Sequence, residues 1–142
     1  MWKNKIKIIL SCLFILGVII FYSMPLKPMG IGKKIIFIEV ANNADKRAQG
    51  LKGRSFLADN AGMLFCFEKE GYPQFWMKDT LIALDIAFID INKKIVDIQQ
   101  MSALDEKPRY VPKNKAKYAL EMNLGWFQRN GIAIGDKVFF WR

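Results

Sequence analysis

Residues 84–101, LDIAFIDINKKIVDIQQM, contain the clearest structural signal in the chain. The segments 84–90 and 94–101 are rich in β-branched and other apolar residues and flank Asn92, so together they predict a β-hairpin. Side chains alternate between the two faces of a strand, which places Leu84, Ile86 and Phe88 on one face and Asp85, Ala87 and Ile89 on the other. Both faces of this first strand are therefore mostly apolar.

Further short strand signals occur along the rest of the chain. Runs of β-branched and aromatic residues predict strands over 34–40, 62–67, 74–78, 117–122 and 137–141. The charged segment 68–73 suits a hairpin connection between the second and third of these runs. Asn42 or Asn43 can cap a short helix, and a turn or short helix is expected around 125–131. The predicted fold is mainly β (α+β), a compact antiparallel β-barrel or sandwich of about seven short strands with one or two short helices.

The apolar surplus of the chain lies at its start. Residues 8–26, IILSCLFILGVIIFYSMPL, contain no charged residue and follow three lysines. This length is close to what one helix needs to cross a bilayer, so we expect an uncleaved membrane anchor, with a cleaved secretory signal as the alternative. The predicted organisation is an anchor over 1–26, a linker containing proline and glycine over 27–34, and one globular domain over 35–142.

The orientation of this anchor does not follow from charge, because three lysines stand on each side of the apolar run. The very short N-terminal tail is similar to that of an export signal. We therefore expect a single-pass protein of the cell membrane whose globular domain lies outside the cytoplasm.

The net charge of +9 is unevenly distributed. Residues 1–34 contain six lysines and no acid, whereas the rest of the chain contains sixteen basic and thirteen acidic residues. Lysines that flank an apolar helix are explained by anionic lipid head groups, so we expect a membrane partner and no nucleic acid. A second basic cluster, Lys107, Arg109, Lys113, Lys115 and Lys117, lies in a proline-containing stretch that is typical of a solvated loop.

Several kinds of chemistry are excluded by residue type. The chain contains no histidine, which removes histidine-based triads and histidine metal ligands. Cys12 lies in the apolar run and Cys66 in the globular part, so they are not expected to form a disulfide. The methionines form no compact sequence cluster, and we expect neither a metal nor a cofactor.

A set of motifs occurs in one order along the chain: Gly50-Leu51, Arg54, Gly62-Met63-Leu64-Phe65, Phe75-Trp76-Met77-Lys78-Asp79-Thr80, Leu84-Asp85, Phe88, Leu120-Glu121, Gly131 and Gly135-Asp136. That order resembles the family called domain of unknown function 192, over about residues 37–140, and the Trp-Met-Lys-Asp-Thr segment is its most specific part. Lys52 departs from the pattern, since the family commonly has Met after the Gly-Leu pair. The resemblance implies a small exported or membrane-anchored protein with a compact, strand-rich fold, and it implies no reaction.

Two carboxylates, Asp85 and Glu121, lie between apolar neighbours on predicted strands. A buried carboxylate should meet a donor such as Arg54, Arg47 or Lys78, or should have a raised pKa. An internal network of ion pairs and hydrogen bonds is the structural alternative to a functional site.

Trp76 and Met77 point to opposite faces of their predicted strand, so Trp76 beside Lys78 could line a groove for a flat or apolar ligand. The candidate ligand-binding residues are Arg54, Trp76, Lys78, Asp79, Asp85 and Glu121. Two hypotheses follow: a non-enzymatic binding or assembly module that binds a small molecule or a protein, and a small cell-envelope enzyme that uses Asp85 or Glu121 as an acid or base.

Overall fold

The structure, a computed structural model, describes residues 26–107 and 109–140. These residues form seven β-strands and two short helices. In chain order the elements are β1 (Lys27–Ile31), β2 (Lys34–Ala41), α1 (Ala44–Gln49), β3 (Ala61–Gly71), β4 (Leu84–Ile89), β5 (Ile95–Met101), β6 (Ala116–Asn123), α2 (Trp126–Arg129) and β7 (Val138–Phe139). The mainly β prediction, the number of strands and the presence of two short helices are confirmed.

The strands form one curled sheet in the order β5-β4-β6-β3-β2-β1-β7. The edge strands β5 and β7 lie close to each other. The amide of Ile95 donates to the carbonyl of Asp136, and the amide of Val138 donates to the carbonyl of Lys93, both at 2.9 Å. The sheet is therefore a curled half-barrel. One pair departs from the predicted antiparallel arrangement: β2 and β3 are parallel. The segment between them, which includes α1, provides the long crossover that a parallel pair requires.

Local sequence explains the short helix α1. The Oδ1 atom of Asn43 accepts a hydrogen bond from the amide of Lys46 at 2.9 Å, which satisfies one free donor of the first turn. Gly50 ends the helix with a φ of 51°, a left-handed value that glycine adopts readily. The predicted helix cap and helix are confirmed.

The sheet has an apolar cluster on each face. The inner cluster, on the concave face, includes Ile38, Leu64, Leu120, Trp126 and Phe127. The outer cluster, on the opposite face, lies under the connecting loops and includes Leu51, Phe75, Met77, Ile86 and Phe88. All six residues of β4 are buried. Both faces of β4 are apolar because the inner cluster packs on one face and the outer cluster packs on the other.

Three local predictions are wrong. The predicted linker over 27–34 is instead β1 and a tight turn, since Met29 and Ile31 are buried in the inner cluster. The predicted strand over 74–78 makes only one bridge, between Phe75 and Tyr110. The predicted hairpin is absent because β3 continues to Gly71 and pairs with β6 instead. Phe75 and Met77 still alternate as in a strand, but they pack down onto the outer cluster from a loop.

No helix among residues 26–107 and 109–140 is long and apolar enough to cross a membrane. The predicted anchor over 8–26 lies outside the described residues except for Leu26.

Candidate functional site

Three cationic side chains converge on the indole of Trp76, which is 38% exposed. The guanidinium carbon of Arg109 lies 4.6 Å from the ring centroid. The Nζ atoms of Lys78 and Lys52 lie 5.6 Å and 5.7 Å from it. These distances are within the range of cation–π contacts. We call Trp76, Lys52, Lys78 and Arg109 the Trp76 cluster.

The fold assembles the Trp76 cluster from three separate segments of the chain. The amide of Gly53 donates to the carbonyl of Asp79 at 2.8 Å, and the amide of Met77 donates to the carbonyl of Asp105 at 3.0 Å. Met77 is buried beneath the loops, whereas its neighbour Trp76 points outward. The loops after α1, before β4 and after β5 are therefore joined by their backbones at the place where the cations meet.

Asp79 lies beside this cluster in an exposed turn with a φ of 57°. Aspartate tolerates such left-handed backbone better than most residues. The hydroxyl of Thr80 donates to the carbonyl of Lys78 at 3.4 Å, and the amide of Thr80 donates to the carbonyl of Met77 at 3.1 Å. Asp79 and Thr80 thus form a turn, and this turn positions Lys78.

The positive charges of the Trp76 cluster are not neutralised by ion pairs. Within the part of the chain that the structure describes, the ion pairs join Arg54 to Glu39 and Arg129 to Asp59, and Lys52, Lys78 and Arg109 take part in none. Cations that converge without a carboxylate partner produce a local positive potential that attracts anions. Together with the aromatic ring, this arrangement suits a ligand that carries a negative charge beside a flat apolar group.

Arg54 lies in the same loop as Lys52 and binds Glu39 of β2 in a bidentate ion pair, with N–O distances of 2.5 Å and 2.7 Å. The hydrogen bonds to Glu39 raise the pKa of Arg54 above its ordinary value, although partial burial opposes that change. Arg54, one of the donors suggested for the buried carboxylates Asp85 and Glu121, therefore pairs with Glu39 instead. Arg54 ties its loop to the outer face of the sheet.

Glu121 lies on the outer face in a cross-strand row with Glu39, Met63 and Ile86. It is 5% exposed, and burial raises the pKa of its carboxyl from 4.5 to about 8. No donor among the described residues forms a hydrogen bond with this carboxyl that would favour its charged form. Glu121 is therefore protonated at neutral pH, as predicted for a buried carboxylate without a partner.

Asp85 lies on the other face of the sheet. It is in register with Met122, whereas Ile86 is in register with Glu121, so the carboxyls of Asp85 and Glu121 point to opposite sides of the sheet. Asp85 is 2% exposed, and its Oδ2 atom accepts a hydrogen bond from the amide of Phe127 at 3.4 Å. The prediction that Asp85 belongs to the same groove as Trp76 is thus wrong, as is the pairing of the two carboxylates in one active site.

Asp85 instead supports the first turn of α2. Gly125 at the N-cap has no side chain to accept a hydrogen bond from the free amides of that turn. We expect Asp85→Ala to destabilise the fold by about 1–2 kcal/mol, because the amide of Phe127 would lose its acceptor in a buried place. Asp85→Asn keeps an acceptor and should cost less. Urea unfolding of the three proteins measures the difference, and an Asp85→Ala protein as stable as the parent would contradict this role.

Comparison with known proteins places the chain in a family. The model of the family DUF192, described as "Uncharacterized ACR", matches residues 24–140. The chain belongs to the DUF192 family. A UPF0127 protein of Pyrococcus abyssi (strain GE5 / Orsay) is 32% identical over 105 residues, which cover 71% of this chain and 83% of that protein.

Two solved structures share the fold of this chain. A protein of unknown function from Novosphingobium aromaticivorans superimposes with a TM-score of 0.77 at 30% identity, covering 81% of this chain and 85% of that one. A Sinorhizobium meliloti protein, described as a possible transcription regulator, gives a TM-score of 0.76 at 28% identity, covering 80% and 92% of the two chains. The family resemblance seen in the sequence is therefore confirmed.

Sequence reasoning found Trp76 and Lys78 but missed three residues of this region: Lys52, Arg109 and Glu39. Lys52 is the position at which the chain departs from the DUF192 pattern, and that departure was a usable signal. Arg109 carried no such signal, because it stands among basic residues of a polar loop and lies 33 positions after Trp76. Its contact with the indole depends on how two distant loops fold onto the sheet.

Proposed function

We propose that this DUF192 protein is a membrane-anchored binding module, held outside the cytoplasm by residues 8–26, that takes up an anionic ligand at the Trp76 cluster. The ligand class is an organic anion with a flat apolar group, either a small molecule or a side chain of a partner protein. One observation carries the proposal: three cations that form no ion pair with any other described residue surround the indole of Trp76, which is 38% exposed. A ring that served only to fill the core would be covered by apolar side chains and would need no converging charge.

Binding of 1-naphthalenesulfonate to the full chain in lipid nanodiscs tests the proposal by calorimetry. We expect Trp76→Leu to weaken binding, because the ligand loses its aromatic contact. Replacement of Lys52, Lys78 and Arg109 by Gln should weaken it about two- to fivefold for each charge removed. Added salt should weaken binding to the parent and have less effect on the triple variant.

Lys115→Gln is the matched control, since Lys115 is an exposed cation of the same basic stretch as Arg109 and makes no contact with the indole. Its affinity should equal that of the parent. The proposal fails if the probe does not bind, or if Trp76→Leu and the triple variant bind it as tightly as Lys115→Gln.

A second candidate function, acid catalysis by Glu121, is favoured by the raised pKa of its buried carboxyl. A carboxyl that holds its proton at neutral pH can donate it to a leaving group. Asp85 cannot serve as its partner because it lies on the other face of the sheet. A panel of chromogenic esters and phosphates tests this candidate: turnover that is lost in Glu121→Gln and retained in Asp85→Asn supports it, and turnover that Glu121→Gln retains excludes it.

A further inference from the structure

Within residues 26–107 and 109–140, the outer face of the sheet is exposed at β1, β7 and the beginning of β2. In the strand register, Gly30 of β1 lies between Ile35 of β2 and Phe139 of β7, and Pro28 lies beside Phe37. Ile35, Phe37 and Phe139 are 68%, 50% and 62% exposed. We call Pro28, Ile35, Phe37 and Phe139 the β1 apolar patch.

This exposure is confined to one face of these strands. The residues that alternate with the patch, Met29, Ile31, Ile36, Ile38 and Val138, are buried in the inner cluster. The loops that cover the outer cluster lie over the other strands and leave the side chains of Ile35, Phe37 and Phe139 exposed. Contiguous large apolar side chains on a folded surface mark a place where the protein contacts another apolar phase.

The position of the β1 apolar patch in the chain indicates that this apolar phase is a membrane. The predicted anchor ends at Leu26, and β1 begins at the next residue, Lys27. Gly30 lies three residues after Lys27, which is about 10 Å along a strand. A chain that leaves a bilayer at Leu26 therefore holds the patch at the membrane surface.

The charges around the patch fit a membrane that contains anionic lipid. Lys33 in the turn between β1 and β2, Lys34 at the start of β2 and Lys137 immediately before β7 are all exposed. Apolar side chains that enter the head-group region, with lysines at the edge, are the usual composition of an interfacial contact.

We propose that the β1 apolar patch lies in the head-group region of an anionic membrane and so fixes the orientation of the domain. The inference rests on the proposed membrane anchor. It predicts that the loop before β4, which lies on the far side of the curled sheet from β1, faces the water. Leu81 of that loop is 49% exposed, close to the exposure of Phe37, and provides a matched control.

The test places an environment-sensitive fluorophore at single cysteines in the full chain. Cys12 and Cys66 are replaced by Ala, and Phe37→Cys or Leu81→Cys is labelled with a nitrobenzoxadiazole dye. The protein is reconstituted in vesicles of phosphatidylethanolamine with a minority of phosphatidylglycerol. We expect blue-shifted emission and quenching by head-group nitroxide lipid at position 37, and neither effect at position 81.

Replacing Lys33, Lys34 and Lys137 by Gln should lower the ratio of docked to undocked protein by roughly fivefold for each lysine that faces the lipid. An unchanged ratio would overturn the anionic part of the inference. Emission at position 37 that matches position 81 would overturn the docking itself. If the blue shift at position 37 disappears when the protein is diluted in lipid, the patch contacts a second copy of the chain. That result would also overturn the docking.

Flotation of the same vesicles separates failure of this inference from failure of the proposed anchor. If the protein does not float with the lipid, the anchor is wrong and the docking falls with it. If the protein floats and position 37 is nevertheless in water, the anchor stands and only the docking is wrong.

Discussion

Glu121→Gln should stabilise the protein increasingly as the pH rises from about 5 to 8. The carboxyl has a pKa of about 8 in the folded protein and an ordinary value of 4.5, which also applies to the unfolded chain. Below pH 4.5 it is protonated in both states and favours neither. Above that pH the unfolded chain ionises first, so the parent loses folding free energy until the pH passes about 8, at about 1.4 kcal/mol for each pH unit.

The amide of Gln is neutral at every pH and nearly the same size, so the variant should not show this loss. Urea unfolding at several pH values measures the difference in the free energy of unfolding between the two proteins, which should reach several kcal/mol at pH 8. Glu68→Gln is the control, because Glu68 is an exposed carboxylate of β3. A difference between parent and Glu121→Gln that stays constant from pH 5 to 8 would contradict the burial of an ionisable, unpaired carboxyl.

Gly62→Ala should destabilise the fold by about 3 kcal/mol or prevent folding. A methyl group at Gly62 would lie 2.6 Å from the carbonyl oxygen of Glu121, and the Sδ atom of Met122 would be closer still. The Met122 side chain could move, but the carbonyl belongs to the central strand β6, which is paired with β3 on one side and β4 on the other. Relief of the clash would therefore separate β3 from β6.

Gly71→Ala is the matched control in the same strand. No atom lies within 4 Å of the position that its methyl group would occupy, and its φ is not positive. We expect thermal unfolding to show a transition near that of the parent for Gly71→Ala and a much lower transition, or none, for Gly62→Ala. Equal transitions for the two variants would contradict the close contact between β3 and β6.

Sequence pattern predicted the elements whose signals are local. The hairpin of β4 and β5 follows from two apolar runs around Asn92, and α1 follows from the capping side chain of Asn43. The parallel pairing of β2 with β3 could not be predicted, because it depends on where the chain returns after α1. The same holds for β1 and the turn after it, where Pro28, Gly30 and Gly32 suggested a linker although Met29 and Ile31 are buried.

The candidate site was predictable only where its residues are neighbours in sequence. Trp76, Lys78 and Asp79 belong to one short segment and remain together in the fold. Asp85 and Glu121 could not be assigned to opposite faces, since both faces of β4 are apolar and the register of β4 against β6 joins positions 29 to 39 residues apart. Asp85 thus looked like a ligand-binding carboxylate but caps a short helix on the inner face.

The indole ¹H–¹⁵N resonances of the full chain in nanodiscs, followed during titration with 1-naphthalenesulfonate, test the proposed ligand site most directly. The chain has four tryptophans, and the Trp76→Phe variant identifies the resonance of Trp76. We expect that resonance to shift and saturate. The resonance of Trp126, whose buried indole donates to Asn60, should not shift. A Trp76 resonance that does not move, or a shift confined to Trp126, would contradict a ligand site on the outer face.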